Sequence, residues 1–112
     1  TKDDELIMSY GVMGGEYQAF GHMQFLSRFF DYGLDIQTAQ DMPRFFPDPF
    51  SEFIDLETTI PQNIQDDLVK IGHKVRQAII PIGGSQAIYL DKVTNVLNAG
   101  SDPRKDGMAI GF

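Results

Sequence analysis

Two adjacent glycines, Gly14 and Gly15, stand between the apolar run Leu6-Ile7-Met8-Ser9-Tyr10 and a long aromatic-rich helical pattern. The run reads as a buried strand, and Glu16 to Tyr32 reads as a helix. Where a backbone turns from a strand into a helix, successive N–H groups point one way and lack intrahelical partners. Such a turn can hold a carboxylate or the oxyanion of an acyl transfer. On local pattern alone the plainer reading comes first, a tight turn in which glycine supplies positive φ or close packing. Neither GxGxxG nor GxxxxGK[ST] is present, so a nucleotide cradle is not supported.

Other groups offer chemistry with a weaker pattern. His22 and His73 fall in different elements without metal-ligand spacing, so packed histidines are expected in place of a metal site or an acid–base pair. Asp102, Arg104 and Asp106 near the C-terminus suit a substrate clamp. They suit better a turn before Pro103, with Arg104 tying the loop by an ion pair. Gly83-Gly84-Ser85 presents a serine, but without the GxSxG elbow or an assignable base. It reads as a turn or a second backbone-donor loop. Thr1 is a candidate N-terminal nucleophile. The polar lead-in Lys2-Asp3-Asp4 argues against a buried strand start there, and Thr1 is read as a fragment boundary. With no cysteine, thiolate catalysis, disulfides and Cys-based zinc are excluded for this chain. No cofactor and no metal are expected.

These groups must be positioned by a small α+β assembly. The 112 residues carry a net charge of −7 and scattered Lys and Arg, so no nucleic-acid partner is expected. No apolar run approaches a membrane span. The helix after Gly15 is apolar on nearly every side (Tyr17, Phe20, Met23, Phe25, Leu26, Phe29, Phe30), which predicts burial on more than one face. Gly33 is placed to stop it. Asp35 caps a short helix through Met42, ended by Pro43. Arg44 to Ser51 reads as a proline-containing loop pressing aromatics inward, and Phe53 to Glu57 as a strand. Pro61 opens a third helix with Ile64, Leu68 and Ile71 on one face and Gly72 as its stop. Val75 to Ile82 reads as extended or irregular. Gln86 to Leu90 and Val96 to Gly100 flank a hairpin turn over Asp91 to Asn95. Four or five strands and so apolar a helix ask for covering layers that other chain segments would supply.

Several segments in order carry a resemblance. They are Met13-Gly14-Gly15-Glu16-Tyr17-Gln18, Phe30 to Asp35 with Ala39 to Phe45, Leu56-Glu57, Gly72-His73-Lys74-Val75, Gly84 to Ile88, and Gly100-Ser101-Asp102-Pro103-Arg104 with Asp106-Gly107. This series resembles the C-terminal part of the small subunit of γ-glutamyltranspeptidases (glutathione hydrolases), which are N-terminal-nucleophile (Ntn) hydrolases. The resemblance covers nearly the whole chain, taken as one fragment over residues 1–112. It implies the C-terminal portion of a four-layer αββα sandwich and a precursor that cleaves itself into large and small subunits. It also implies a threonine that attacks a γ-glutamyl amide to form an acyl-enzyme. The family's glycine pair donates backbone N–H groups to the oxyanion and falls here on Gly14 and Gly15.

The partners so implied are a small-molecule γ-glutamyl substrate and the remaining large- and small-subunit segments. The family's nucleophile lies far upstream of the glycine pair, so Thr1, thirteen positions before Gly14, does not match it. The serines, acidic residue and large-subunit arginine that grip the glutamyl group have no counterpart in this chain. Met13 stands where well-known members often carry proline, which resembles a branch that includes acylase-like proteins. Family members are often exported, but the compartment stays open here. A non-catalytic α/β binding or interaction module, using the Gly14-Gly15 turn for a carboxylate ligand, is the alternative.

Overall fold

A computed structural model describes residues 1–111, which form two compact units. One joins Thr1–Met42 to the chain from Gly83 onward; the other is Pro43–Ile82.

The first unit is an antiparallel sheet with helices on one face. Its strands are β1 (Met8–Met13), β5 (Gly84–Asp91) and β6 (Val96–Ser101), in the order β1-β5-β6. The register pairs Met8 with Tyr89 through Met13 with Gly84, and Gln86 with Ser101 through Asp91 with Val96. Strand β1 therefore starts and ends later than the apolar run suggests. Leu6 is exposed, and Gly11 to Met13 pair with the start of β5. It is not buried on both faces either: side chains alternate, with Val12 on the covered side and Met13 on the open one.

Helix α1 (Tyr17–Leu26) runs into a π-helical turn over Ser27–Asp31, closed by the Tyr32 N–H donating to the Ser27 carbonyl at 3.1 Å. The regular helix is thus shorter than its apolar pattern. Gly33 then takes φ +68° while the Leu34 N–H returns to the Arg28 carbonyl, as expected of a left-handed stop. Helix α2 (Ile36–Asp41) begins at Asp35, whose carboxylate accepts from the Gln37 and Thr38 N–H groups at 3.0 and 2.9 Å.

Phe25, Ile36, Ala39 and Ala87 make the core, flanked by Tyr10, Phe29 and Tyr89. Tyr10 stacks on Phe25 with ring centroids 4.0 Å apart. A fully buried phenylalanine contributes about 2–3 kcal/mol by leaving water. The expected burial of α1 on further faces is not met within this chain: Met23, Leu26 and Phe30 are exposed. The sheet face opposite the helices is also open. Ile88 and Leu97 are exposed there, beside a groove of about 510 Å³ partly lined by Met108, Ala109 and Ile110.

The second unit holds β2 (Phe45–Pro47), β3 (Phe53–Leu56), α3 (Gln62–Lys70) and β4 (Lys74–Gln77). Strand β3 is antiparallel to β2 and parallel to β4, with α3 as the crossover. The loop expected over Arg44 to Ser51 thus contains β2, and the stretch from Val75, read as extended or irregular, begins within β4; the described residues hold six strands. Each is short and gains its order from pairing with β3, which local sequence does not show. Glu57 accepts from the Arg44 and Ile82 N–H groups at 2.9 and 3.1 Å, and the Arg44 guanidinium donates to the Ile82 carbonyl at 2.9 Å. These bonds close the unit's two ends together. Ile64 on α3 and Ile71 at its C-cap are exposed, whereas Gln65 is buried. Arg76 pairs with Asp55 and Asp48, which raises its already high pKa.

The Asp35 carboxyl is held below the usual carboxylate range, first by its hydrogen bonds to Thr38. A lowered folded pKa means its contribution is complete above the unfolded value and is lost as pH falls through the folded one. Asp35→Ala should therefore lower the melting temperature of the intact protein at neutral pH, with a deficit that shrinks below about pH 4. A deficit that grows on acidification would contradict the cap.

Candidate functional site

The Gly14-Gly15 turn is built by the end of β1 and the start of α1. Gly14 has φ +127° and Gly15 φ +58°, conformations that favour glycine. Their carbonyls are used: the Tyr17 N–H donates to Gly14 and the Gln18 N–H to Gly15, both at 3.1 Å. Their N–H groups are not. Among the described residues no hydrogen bond engages the N–H of Gly14 or of Gly15. Both glycines are exposed. Two unspent N–H donors at a helix start form a natural donor set for an anionic oxygen.

Gly83-Gly84, the turn entering β5, lies against Gly14. A Cβ placed on Gly14 would come within 3.2 Å of the Gly83 Cα. Gly83 itself has φ +67°. Behind it, Ser85 is buried and donates both its N–H and its hydroxyl to Asp102, at 2.9 and 3.0 Å. The other Asp102 oxygen accepts from the Arg104 N–H at 2.9 Å and from its guanidinium at 3.1 Å. Arg104 also donates to the Gln40 and Met42 carbonyls at 2.9 and 3.0 Å, at the end of α2. Asp102 has no exposed surface.

Ser85, Asp102 and Arg104 thus form one buried structural knot, in line with the turn and ion-pair readings. Asp106 is exposed and has no part in the knot. Neither motif taken alone predicts the direct pairing of Ser85 with Asp102. Continuing the β5–β6 register one step beyond Gln86–Ser101 sets them opposite each other.

The remaining candidates separate. His22 packs edge-on against Tyr10, with centroids 5.0 Å apart. His73 is exposed in the other unit. Thr1 is exposed ahead of a small turn in which Lys2 and Glu5 exchange backbone hydrogen bonds. Among the described residues no group of three or more His, Asp or Glu is arranged to hold a metal, and no helix is long and apolar enough to cross a membrane. Carboxyls pushed below their usual range serve as local caps and pairs: Asp91 through Thr94, Asp48 through the Phe50 N–H, and Glu5 through Lys92.

The family model described as Gamma-glutamyltranspeptidase matches residues 1–112. The chain is 26% identical over 111 residues to the "Glutathione hydrolase proenzyme" of Bacillus subtilis (strain 168), covering 99% of this chain and 19% of that protein. It therefore spans about a fifth of that relative's length. Among solved structures, the cephalosporin acylase from Bacillus halodurans matches 96% of this chain and 20% of its own, with 39% identity and a TM-score of 0.89. The gamma-glutamyltranspeptidase from Pseudomonas nitroreducens matches the whole chain and 58% of its own, with 22% identity and a TM-score of 0.89. The αβ layer described above is thus part of an Ntn-hydrolase fold.

Removing the Asp102 carboxylate takes the acceptor from the buried Ser85 and the ion-pair partner from Arg104, which keeps its bonds to the Gln40 and Met42 carbonyls. Breaking such a buried pair costs about 3–5 kcal/mol. Asp102→Ala in the intact protein is expected to lose about that much in denaturant unfolding. A loss below about 1 kcal/mol would show that the knot is not structural.

Proposed function

The chain belongs to the gamma-glutamyltranspeptidase family, and from that premise we propose that it supplies the oxyanion-binding turn of an Ntn amide hydrolase or acyltransferase. The nucleophilic threonine of the proposed mechanism lies in another part of the same precursor. Its hydroxyl oxygen attacks the amide carbonyl of the acyl donor while its proton passes to the threonine's own α-amine, which later hands it to the leaving amine, and negative charge collects on the carbonyl oxygen. The Gly14 and Gly15 N–H groups donate to that oxygen while the tetrahedral intermediate stands. Collapse expels the amine, which takes up a proton, and leaves an acyl-threonine ester. Water or a second amine then attacks the ester and regenerates the hydroxyl.

The observation that carries this reading is the unspent N–H pair on a turn with positive φ at both positions. The open sheet face, the exposed α1 residues Met23 and Leu26, and Phe30 in the π-helical turn support a second part of it. Other segments of the precursor cover them to complete the sandwich.

For the acyl donor we propose γ-glutamyl or related acyl amides. The 39% identity to a cephalosporin acylase favours including amides other than γ-glutamyl ones. Release of a chromogenic anilide from a γ-glutamyl donor, run beside deacylation of a cephalosporin amide, tests the choice. Turnover of the cephalosporin alone would remove the γ-glutamyl assignment.

A pair of variants in the full-length protein tests the donor role. Gly15→Ala keeps the N–H, and its Cβ meets open space, at a conformational cost of about 1–2 kcal/mol. Gly15→Pro removes the N–H. Turnover should survive in the alanine variant to within about tenfold and fall by about 100-fold or more in the proline variant. Unchanged turnover in Gly15→Pro sinks the role.

A further inference from the structure

Tyr17 occupies a slot made of glycine. It opens α1, yet only 4% of its surface is exposed. Three glycines surround it: a Cβ on Gly83 or Gly21 would run into the ring, and one on Gly14 would touch it. A Cβ on Gly83 would lie 2.5 and 2.6 Å from Tyr17 Cδ1 and Cε1. A Cβ on Gly21, one turn along α1, would lie 2.7 Å from Cε1. A Cβ on Gly14 would lie 3.4 Å from the Tyr17 Cβ and 3.5 Å from its Cδ1. The Tyr17 N–H meanwhile donates to the Gly14 carbonyl. The residue is thus joined to the donor turn by its backbone, and to the loop that backs this turn by its ring.

We propose that Tyr17 is a positioning residue for the Gly14-Gly15 turn, acting through the Gly83 backbone and not through contact with substrate. The proposal rests on the donor-turn reading above. A flat ring with two side-chain torsions, gripped between Gly21 and Gly83, fixes how closely the Gly83-Gly84 loop approaches Gly14. Gly83 is also held from behind, because Ser85, two residues on, is anchored on Asp102. The donor turn therefore abuts a backed surface. Without the ring, Gly83 loses its spacer and the turn gains room to shift. Oxyanion donors act over a narrow distance range, and a displacement of about 1 Å is costly in rate. Such a shift weakens transition-state stabilisation more than ground-state binding, so it appears in kcat and not in KM.

The test uses the full-length protein and an acyl donor it turns over. Tyr17→Phe keeps the ring and should retain kcat to within about twofold. Tyr17→Ala should lower kcat by about tenfold or more with KM within about twofold. Phe25→Leu, in the core away from the turn, serves as the control for general destabilisation and should leave kcat near wild type. If the alanine variant does not fold, Tyr17→Leu retains apolar volume without the flat ring and carries the same expectation.

Gly83→Ala approaches the same contact from the other side. If Tyr17 acts through Gly83, its effect on kcat and that of Tyr17→Ala should be non-additive in the double variant. The proposal is overturned if Tyr17→Ala or Tyr17→Leu keeps the wild-type kcat, or if the Tyr17 and Gly83 effects simply multiply. Loss of turnover in Gly15→Pro together with wild-type kcat in the Tyr17 variants refutes the positioning role alone. Unchanged turnover in Gly15→Pro refutes the donor reading beneath it.

Discussion

One buried carboxylate organises the end of the sheet on which the candidate site stands. Asp102 has no exposed surface, and its carboxylate accepts hydrogen bonds from Ser85 on one oxygen and from Arg104 on the other. Through Ser85 it fixes the entry to β5; through Arg104 it reaches the carbonyls that end α2. A charge so buried is tolerated only when fully partnered, and the partnering joins one strand entry, one strand exit and one helix end. The Gly83-Gly84 loop is held by this knot, and the Gly14-Gly15 turn rests on that loop. The site glycines have no side chains of their own to hold them. Their geometry is inherited from what stands behind.

The same end of the sheet shows how close packing and donor geometry are combined. Gly21 and Gly83 let the Tyr17 ring approach the backbone more closely than a side chain there would allow, and Gly14 sits close against the Gly83 backbone. Positive φ at Gly14 and Gly15 leaves their N–H groups outside the hydrogen bonding of both the strand and the helix. Helix α2 meets β6 in a comparable way. The Gln37 side chain donates to the Ser101 carbonyl and accepts from its N–H, and Gln40 donates to the Gly100 carbonyl. Side chains thus satisfy part of an edge strand that would otherwise present bare backbone. On the opposite face, among the described residues, Ile88 and Leu97 stay exposed beside the groove that Met108 to Ile110 partly line, and the chain spans about a fifth of its Bacillus relative.

Much of this was legible locally. The Asp35 cap, the Gly33 stop, the helix after Pro61 and the β5–β6 hairpin follow from side-chain chemistry that acts over a few residues. So does the glycine turn between strand and helix. What was not legible depends on partners distant in sequence. Phe45–Pro47 and Lys74–Gln77 are strands because β3 lies between them. Strand β1 is displaced because the start of β5 pairs with Gly11 to Met13. Tyr17 looked like one more apolar residue in an aromatic helix. Only the arrival of Gly83, sixty-six positions later, reveals its place beside the donor turn. Ser85 and Asp102 each looked like a turn residue, and the hairpin register that joins them was the signal available.

The most direct measurement is a crystal structure of the full-length protein trapped with an electrophilic acyl-donor analogue bonded to its nucleophile. The account predicts the oxygen derived from the donor carbonyl about 2.7–3.1 Å from the N–H nitrogens of both Gly14 and Gly15, with the turn otherwise as described. An oxygen bound by other donors, with both glycine nitrogens beyond hydrogen-bond range, would contradict it.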